Sequence, residues 1–279
     1  MKSLMLKLLM SIAVLSTSLY AISSNDEKVI DFFKQTINTK AKNYKLENIK
    51  ILQKKPISQV QGFKAYFLEL TLFLKAQKKQ IVFHDVVFSD GTVITKDFLF
   101  LNSKKSLKKS LTLDLDESFY DKAHLLEGNL DAKNKLVVFS DPLCPFCMSF
   151  VPEMIHFVKK HPKDFALFYY NFPLRIHPGS KTLAKAIIYA EQSGMKDVTL
   201  KIYEEAFDII RANPQSVLNA FNTFMGTNFT LTQINQKQVT ERLDNDMRRA
   251  REIMIKGTPT LFINGKIDIT KEAYKSMVK

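Results

Sequence analysis

The chain of 279 residues holds two cysteines, Cys144 and Cys147, separated by Pro145 and Phe146. Two thiols at this spacing can close a disulfide across one helical turn and return its electrons as a dithiol. Exchange needs an attacking thiolate and a second thiol that resolves the mixed disulfide. Position decides which sulfur attacks. Leu136-Val-Val-Phe-Ser140 is an apolar β-type run before the pair, and Met148 to Lys160 follows it with a helical pattern. Cys144 then stands at a helix N-terminus, where unpaired N–H groups and the helix dipole favour negative sulfur. Cys144 is the predicted nucleophile. Cys147, one turn further in, is the predicted resolving thiol and the less exposed of the two. The competing chemistry is a zinc half-site. Zinc takes about four ligands, no second cysteine pair exists, and His84, His124, His156, His161 and His177 show no paired ligand spacing with the cysteines. No metal and no cofactor are expected.

Pro145 and Phe146 lie between the sulfurs and tune them. A histidine at 146 would add a hydrogen bond or a positive charge to the thiolate, and phenylalanine cannot. A weaker oxidant than a Cys-Pro-His-Cys enzyme is therefore expected. Asp141 is either a turn residue leading into the helix, the preferred role, or a charge that tunes the cysteines. His177 reads as a loop residue that orders the chain beyond it rather than as a catalytic group.

The compartment comes from the N-terminus. Lys2 and Lys7 precede a short apolar core, Leu8 to Leu15, and small residues lead to an expected cut after Ala21. This is the pattern of a secretory signal peptide over residues 1–21, although Leu19 is large for its place before the cut. The expected location is the periplasm, an oxidising compartment. A single tight cysteine pair in a chain long enough to bury a core without staples is not there for stability, because so short a loop constrains little unfolded-state entropy. The formal charge of +13 is carried partly in short lysine pairs such as Lys54-Lys55 and Lys108-Lys109. Scattered in this way, they suit a solvated surface, and nucleic acid is not an expected partner.

The elements that must position the pair fall into two groups. Residues 22–102 read as a small α+β domain. Ser24 and Glu27 are spaced as a capping box, Val29, Phe33 and Ile37 mark one buried helix stripe, and strands follow at Ile49–Leu52, Phe63–Leu74, Ile81–Phe88 and Thr92–Thr95. Residues 103–118, rich in lysine and serine, read as a linker. Residues 119–279 begin with strand, Cys144–Lys160 helix and strand (Phe165–Asn171), with Pro152 inside the helix. A helical stretch over about 175–256 breaks at Asn213-Pro214 and near Gly226. Thr260–Ile263, the hairpin signal Asn264-Gly265, Ile267–Ile269 and a closing helix over Lys271–Val278 complete the chain.

This order resembles the thioredoxin fold, giving an α/β, thioredoxin-like catalytic domain with a helical insertion behind a small α+β domain. Phe139-Ser-Asp-Pro-Leu-Cys-Pro-Phe-Cys147 is similar to the active-site segment of exported thiol:disulfide interchange proteins of the DsbC/DsbG type, which have an aspartate at the place of Asp141. Gly257-Thr-Pro-Thr-Leu-Phe-Ile-Asn-Gly265 resembles their cis-proline loop. The resemblance implies a cis bond at Thr258-Pro259, a substrate-binding role for both residues, and a dimerisation-type N-terminal domain, hence a homodimer. Two departures stand out. The insertion looks longer than in that type and leans toward the DsbA type. The acidic residue that some members bury six positions before the first cysteine is absent, with Val138 in its place, so the resolving thiol needs another proton route, such as water.

The expected function is a periplasmic thiol:disulfide oxidoreductase, an isomerase or reductase that acts on unfolded or misoxidised exported proteins and is reset by a membrane redox partner. A DsbA-like dithiol oxidase is the alternative within the class. A holdase chaperone whose cysteines are secondary is the alternative outside it.

Overall fold

Ser23 caps the first helix, and the helix, like the rest of the chain, is seen in a computed structural model that describes residues 23–205, 207 and 213–278, the side chain of Lys40 apart. The segment expected as a signal peptide lies outside the described residues. The chain divides into two units, Met1–Thr95 and Lys96–Lys279.

In the first unit, helix α1 (Ser24–Lys40) leads into strands β1 (Tyr44–Pro56), β2 (Lys64–Leu74), β3 (Lys79–Ser89) and β4 (Ile94–Thr95), paired in that order as an antiparallel meander. The capping box is made by Ser23 and Asp26, one residue earlier than the Ser24–Glu27 spacing suggested. Asp26 is held there because its buried carboxylate also meets Lys54 Nζ at 2.7 Å. Val29, Phe33 and Ile37 lay their stripe on Leu46, Ile49, Tyr66, Leu68, Leu70 and Val87. The turn at Ser89-Asp90-Gly91 closes with Asp90 Oδ1 accepting from the backbones of Thr92 and Val93, 2.8 Å each.

The second unit begins earlier than the expected boundary at 102. Asp97 accepts from the Lys108 backbone at 3.0 Å and from Ser106 Oγ at 2.6 Å, and Leu107 N–H donates to Phe98 O, so this stretch folds on itself. Residues 103–118 also carry core material. Leu107 and Leu115 are buried, and Leu115 N–H donates to Gly265 O at 2.9 Å. A linker reading from lysines and serines missed these few apolar anchors.

Strand β5 (Leu125–Gly128), absent from the sequence expectations, comes next. Then follow β6 (Asn134–Ser140), helix α2 (Pro145–Lys160) and β7 (Phe165–Asn171), with β6 and β7 parallel and in register. Helices α3 (Ser180–Gln192), α4 (Val198–Glu204), α5 (Pro214–Met225), α6 (Leu231–Ile234) and α7 (Lys237–Glu252) form the insertion. Asn213 and Gly226 cap α5 at its two ends. Strands β8 (Thr260–Ile263) and β9 (Lys266–Asp268) complete a sheet of order β5-β7-β6-β8-β9. Asn264 (φ 47°) and Gly265 (φ 80°) make the two-residue turn between them, both in the left-handed region such hairpins require. The chain closes on a short 3-10 turn, Ala273–Met277, instead of the expected α-helix.

The sheet is covered on both faces, and period-two alternation sorts its residues. Leu136, Val138, Leu167 and Tyr169 pack with α2, Tyr203 and Tyr274. Val137, Phe139, Phe168 and Tyr170 pack with Phe119, Ala250 and Ile253 on the other side. Burying each such side chain contributes about 1.5–3 kcal/mol. This two-sided packing is what holds the C-terminal ends of β6 and β7 in place beneath the cysteines. The α/β thioredoxin-like architecture with its helical insertion is as the sequence suggested.

Candidate active site

The strand end of β6 and the start of α2 create the site. Ser140 ends the strand, and Asp141 starts the turn, its backbone carbonyl accepting from Cys144 N–H at 3.1 Å. Cys144 is the N-cap of α2 with extended backbone (φ −79°, ψ 121°), and Pro145 takes the first helical position, where its missing N–H costs nothing. From the other side, β8 pairs with β6 so that Thr260 sits opposite Phe139. The preceding Thr258-Pro259 peptide is cis, and Cys144 Sγ lies 3.6 Å from Thr258 O.

The two sulfurs differ sharply. Both are free thiols and both are buried, Cys144 at 4% exposure and Cys147 at 0%. The hydrogen bond from the Cys147 thiol draws the Cys144 pKa down to about 5. Burial opposes that, while the Thr258 hydroxyl and the backbone N–H groups of Cys147 and Phe146 add to the lowering. Cys147 moves the opposite way. Burial pushes it far up, and its bond to Cys144 adds to the rise. The pair therefore loses its first proton from Cys144, which is the chemistry of an attacking thiolate beside a protonated partner.

Around the sulfurs, Phe146 is 77% exposed and forms an apolar projection next to Cys144. Asp141 is fully buried and is spent on architecture. Its Oδ1 accepts from Leu143 N–H (2.8 Å) and the Ser180 hydroxyl, and its Oδ2 from Leu174 N–H (2.8 Å) and His177 Nδ1 (2.9 Å). It ties the turn before Cys144 to the start of the insertion, and only its backbone N–H bears on Cys147. Pro259 also lines a cleft of about 140 Å³ with Lys109, Thr112, Lys256 and Ile269. Among the described residues, no group of three or more His, Cys, Asp or Glu side chains is arranged to hold a metal ion.

Three residues escaped the sequence reading. Ser140 Oγ lies 2.7 Å from Tyr203 OH, and Tyr203 OH lies 2.8 Å from Tyr169 OH, all buried behind Cys147. A serine ending an otherwise apolar strand was the one visible signal. Nothing local links it to a tyrosine 63 residues away.

Residues 121–279 match the model of the family described as Thioredoxin. The Na(+)/H(+) antiporter NhaA 1 of Mycolicibacterium gilvum (strain PYR-GCK) is 29% identical over 144 residues, 50% of this chain and 23% of that protein, so the match spans about a quarter of that relative's length. Among solved structures, a thioredoxin-like oxidoreductase from Silicibacter pomeroyi DSS-3 is 19% identical and aligns over 58% of this chain and 95% of its own with a TM-score of 0.49. Oxidised BdbD from Bacillus subtilis is 18% identical over 60% of this chain and 95% of its own, with a TM-score of 0.48. Among the described residues no helix is long and apolar enough to cross a membrane.

Proposed function

This chain belongs to the thioredoxin family, and we propose that within it the protein is an exported thiol:disulfide oxidoreductase of isomerase or reductase type. The carrying observation is the asymmetric thiol pair: Cys144 at a helix N-cap with its pKa lowered to about 5, backed by a buried, protonated Cys147. Cys144 Sγ attacks a substrate disulfide and releases one substrate thiolate. Cys147 then attacks Cys144 Sγ, which frees the second substrate thiolate and closes the Cys144–Cys147 disulfide. An isomerase runs the first step and lets a substrate thiol reverse it. Thr258, with its carbonyl beside Cys144, is the group that would pair with an extended substrate segment.

Two observations bear on direction. A thiolate at about 5 lies between values of about 7 in thioredoxin and about 3.5 in DsbA, and the Phe146 side chain adds no polar partner to the Phe146 backbone N–H. This supports a weaker oxidant than DsbA, whose potential is about −120 mV. The long insertion supports the oxidase alternative. Trapping the redox state of Cys144 and Cys147 in cells separates them: mostly reduced for an isomerase or reductase, mostly oxidised for an oxidase.

The partners are unfolded or misoxidised exported proteins and a membrane reductant, and the location is the periplasm. The active form is a homodimer joined through the first unit. Val82 and Phe83 of β3 are 58% and 49% exposed, and β4 pairs only with Phe88 and Ser89 of that strand. An apolar strand with so much open edge suits pairing with a second copy. The direct test is refolding of a scrambled multi-disulfide protein and insulin reduction by the wild type and Cys144→Ala. Activity that survives the substitution would sink the enzyme reading in favour of a holdase.

A further inference from the structure

The resolving step creates a problem that the active-site thiols cannot solve alone. In the reduced pair the Cys147 proton bonds to the Cys144 thiolate. Once Cys144 is tied in a mixed disulfide, that acceptor is gone, and Cys147 must lose its proton before it can attack. Cys147 is fully buried, and Val138 supplies no acid or base from the strand below. The Thr258 hydroxyl lies close to the sulfur, but it is buried with no further hydrogen-bond partner, so a proton passed to it goes nowhere.

The Ser140 side leads out. Hydrogen bonding from the Ser140 hydroxyl favours the Cys147 thiolate against the pressure of burial. From Ser140 Oγ the chain continues 2.7 Å to Tyr203 OH and 2.8 Å to Tyr169 OH. Ser140, on β6, is fully buried, while Tyr203, on α4, and Tyr169, on β7, are 2% and 5% exposed. Cys147, Tyr169 and Tyr203 share one packed cluster. Tyr169 also lines a cavity of about 450 Å³ with Glu191, Asn171, His124, Arg242 and Asp197. Glu191 is reached by water there, yet enough protein surrounds its carboxyl that burial raises its pKa, and Thr199 Oγ1 donates to it at 2.6 Å. The charged or ionisable groups bearing on Tyr169 are Tyr203, Cys147, Asp141 and Glu191. Those bearing on Tyr203 are Tyr169 and Cys147, and both tyrosines stay protonated.

We propose that Ser140, Tyr203 and Tyr169 form a hydroxyl relay that carries the Cys147 proton to the cavity beside Glu191 during resolution. The inference rests on the oxidoreductase reading above. In the step, the Cys147 S–H bond breaks and its proton passes to Ser140 Oγ as the Ser140 proton moves to Tyr203 and the Tyr203 proton to Tyr169. The Tyr169 proton leaves to solvent in the cavity, and every hydroxyl ends neutral. The Cys147 thiolate then attacks Cys144 Sγ, the Cys144–Cys147 bond forms, the mixed disulfide breaks, and the bonding pair leaves on the substrate sulfur. Ser140, Tyr203 and Tyr169 are positioning residues, since they act through Cys147. Reduction of the disulfide runs the same path inward.

The test follows the two thiolates released when reduced full-length protein meets the aromatic disulfide dithiobis-nitrobenzoate in stopped flow. The first release reports Cys144 attack and the second reports resolution. Tyr203→Phe keeps the ring and removes the middle hydroxyl, and should slow the second release by about a hundredfold near neutral pH, the lower range for lost acid–base assistance. The deficit should shrink as pH rises, because hydroxide substitutes for the relay. Tyr169→Phe cuts the outer end of the chain and gives the same reading should Tyr203→Phe not fold. Tyr274→Phe is the matched control, because its buried hydroxyl has no partner and lies in the same cluster; both releases should match wild type. Wild-type second-release rates in both relay variants overturn the relay alone. A slowing that is equal at every pH also overturns it, since displaced packing would act that way. A wild-type protein that releases only one thiolate overturns the relay and the oxidoreductase reading together.

Discussion

The two sheets of this molecule solve opposite problems. β6 and β7 are buried on both faces along nearly their whole length, and every residue of β7 is buried. In the first unit, β3 is buried only from Val86 to Ser89, and its other end leaves Val82 and Phe83 in water. The closed sheet fixes Ser140, Cys144 and Thr258 relative to one another, as exchange chemistry demands. The open sheet leaves apolar surface in water, available to a partner. Rigidity and availability thus sit in different units of one chain.

Substitutions can break or sharpen that contrast. The largest effect is expected at Phe168, fully buried in β7. Phe168→Ala should lose about 3–5 kcal/mol in urea unfolding, and a loss below 1 kcal/mol (the size of a surface change) would contradict the closed-sheet account. Asp141→Ala comes next, because it strands donors on Leu143, Leu174, His177 and Ser180. A loss of about 3 kcal/mol is expected, and amide exchange should quicken first near 174–180.

The units should also differ in their pH response. Cys144 has a folded pKa of about 5, below its ordinary value near 8.5. Its depressed value stabilises the reduced protein fully above the unfolded value, and that contribution fades as pH falls through about 5. Reduced protein should therefore gain on oxidised protein between about pH 5 and 8.5, with Cys147, whose pKa is raised, opposing the gain above that. Alkylation of Cys144 by iodoacetamide should titrate with a midpoint near 5. In the first unit, burial pushes Asp26 up, but hydrogen bonds from Lys54 and Ser23 outweigh that and leave it lowered. Its contribution is present above the usual carboxylate range and fades only in more acidic solution, whatever the redox state. Unfolding curves of both redox states across pH would expose a shared window if this separation were wrong.

The smallest effect on stability belongs to the open strand. Val82→Ser and Phe83→Ser should each change unfolding free energy by no more than about 0.5 kcal/mol while shifting a dimer to monomer in sedimentation. A large stability loss with unchanged sedimentation would mean that these side chains serve the fold of one chain.

Much of the catalytic unit could be read from its residues because the relevant forces are local. An apolar strand, a cysteine at a helix start, a proline at the first helical position and an Asn-Gly turn each act within a few residues. The misses came where a few residues outvoted a pattern. Leu107 and Leu115 outweighed the lysines around them, Asp26 took the cap because Lys54 was waiting for its carboxylate, and β5 gained strand geometry only from β7 beside it.

The sequence by itself determined the redox pair, which sulfur heads the helix and the order of elements around it. Only the tertiary structure decided what surrounds those sulfurs. Thr258 reaches Cys144 across 114 residues, Asp141 reaches His177 across 36, and Ser140 reaches Tyr203 across 63. Such contacts leave no periodicity in the chain. They exist because burial forces each polar group to find a partner, and packing alone determines which partner is near.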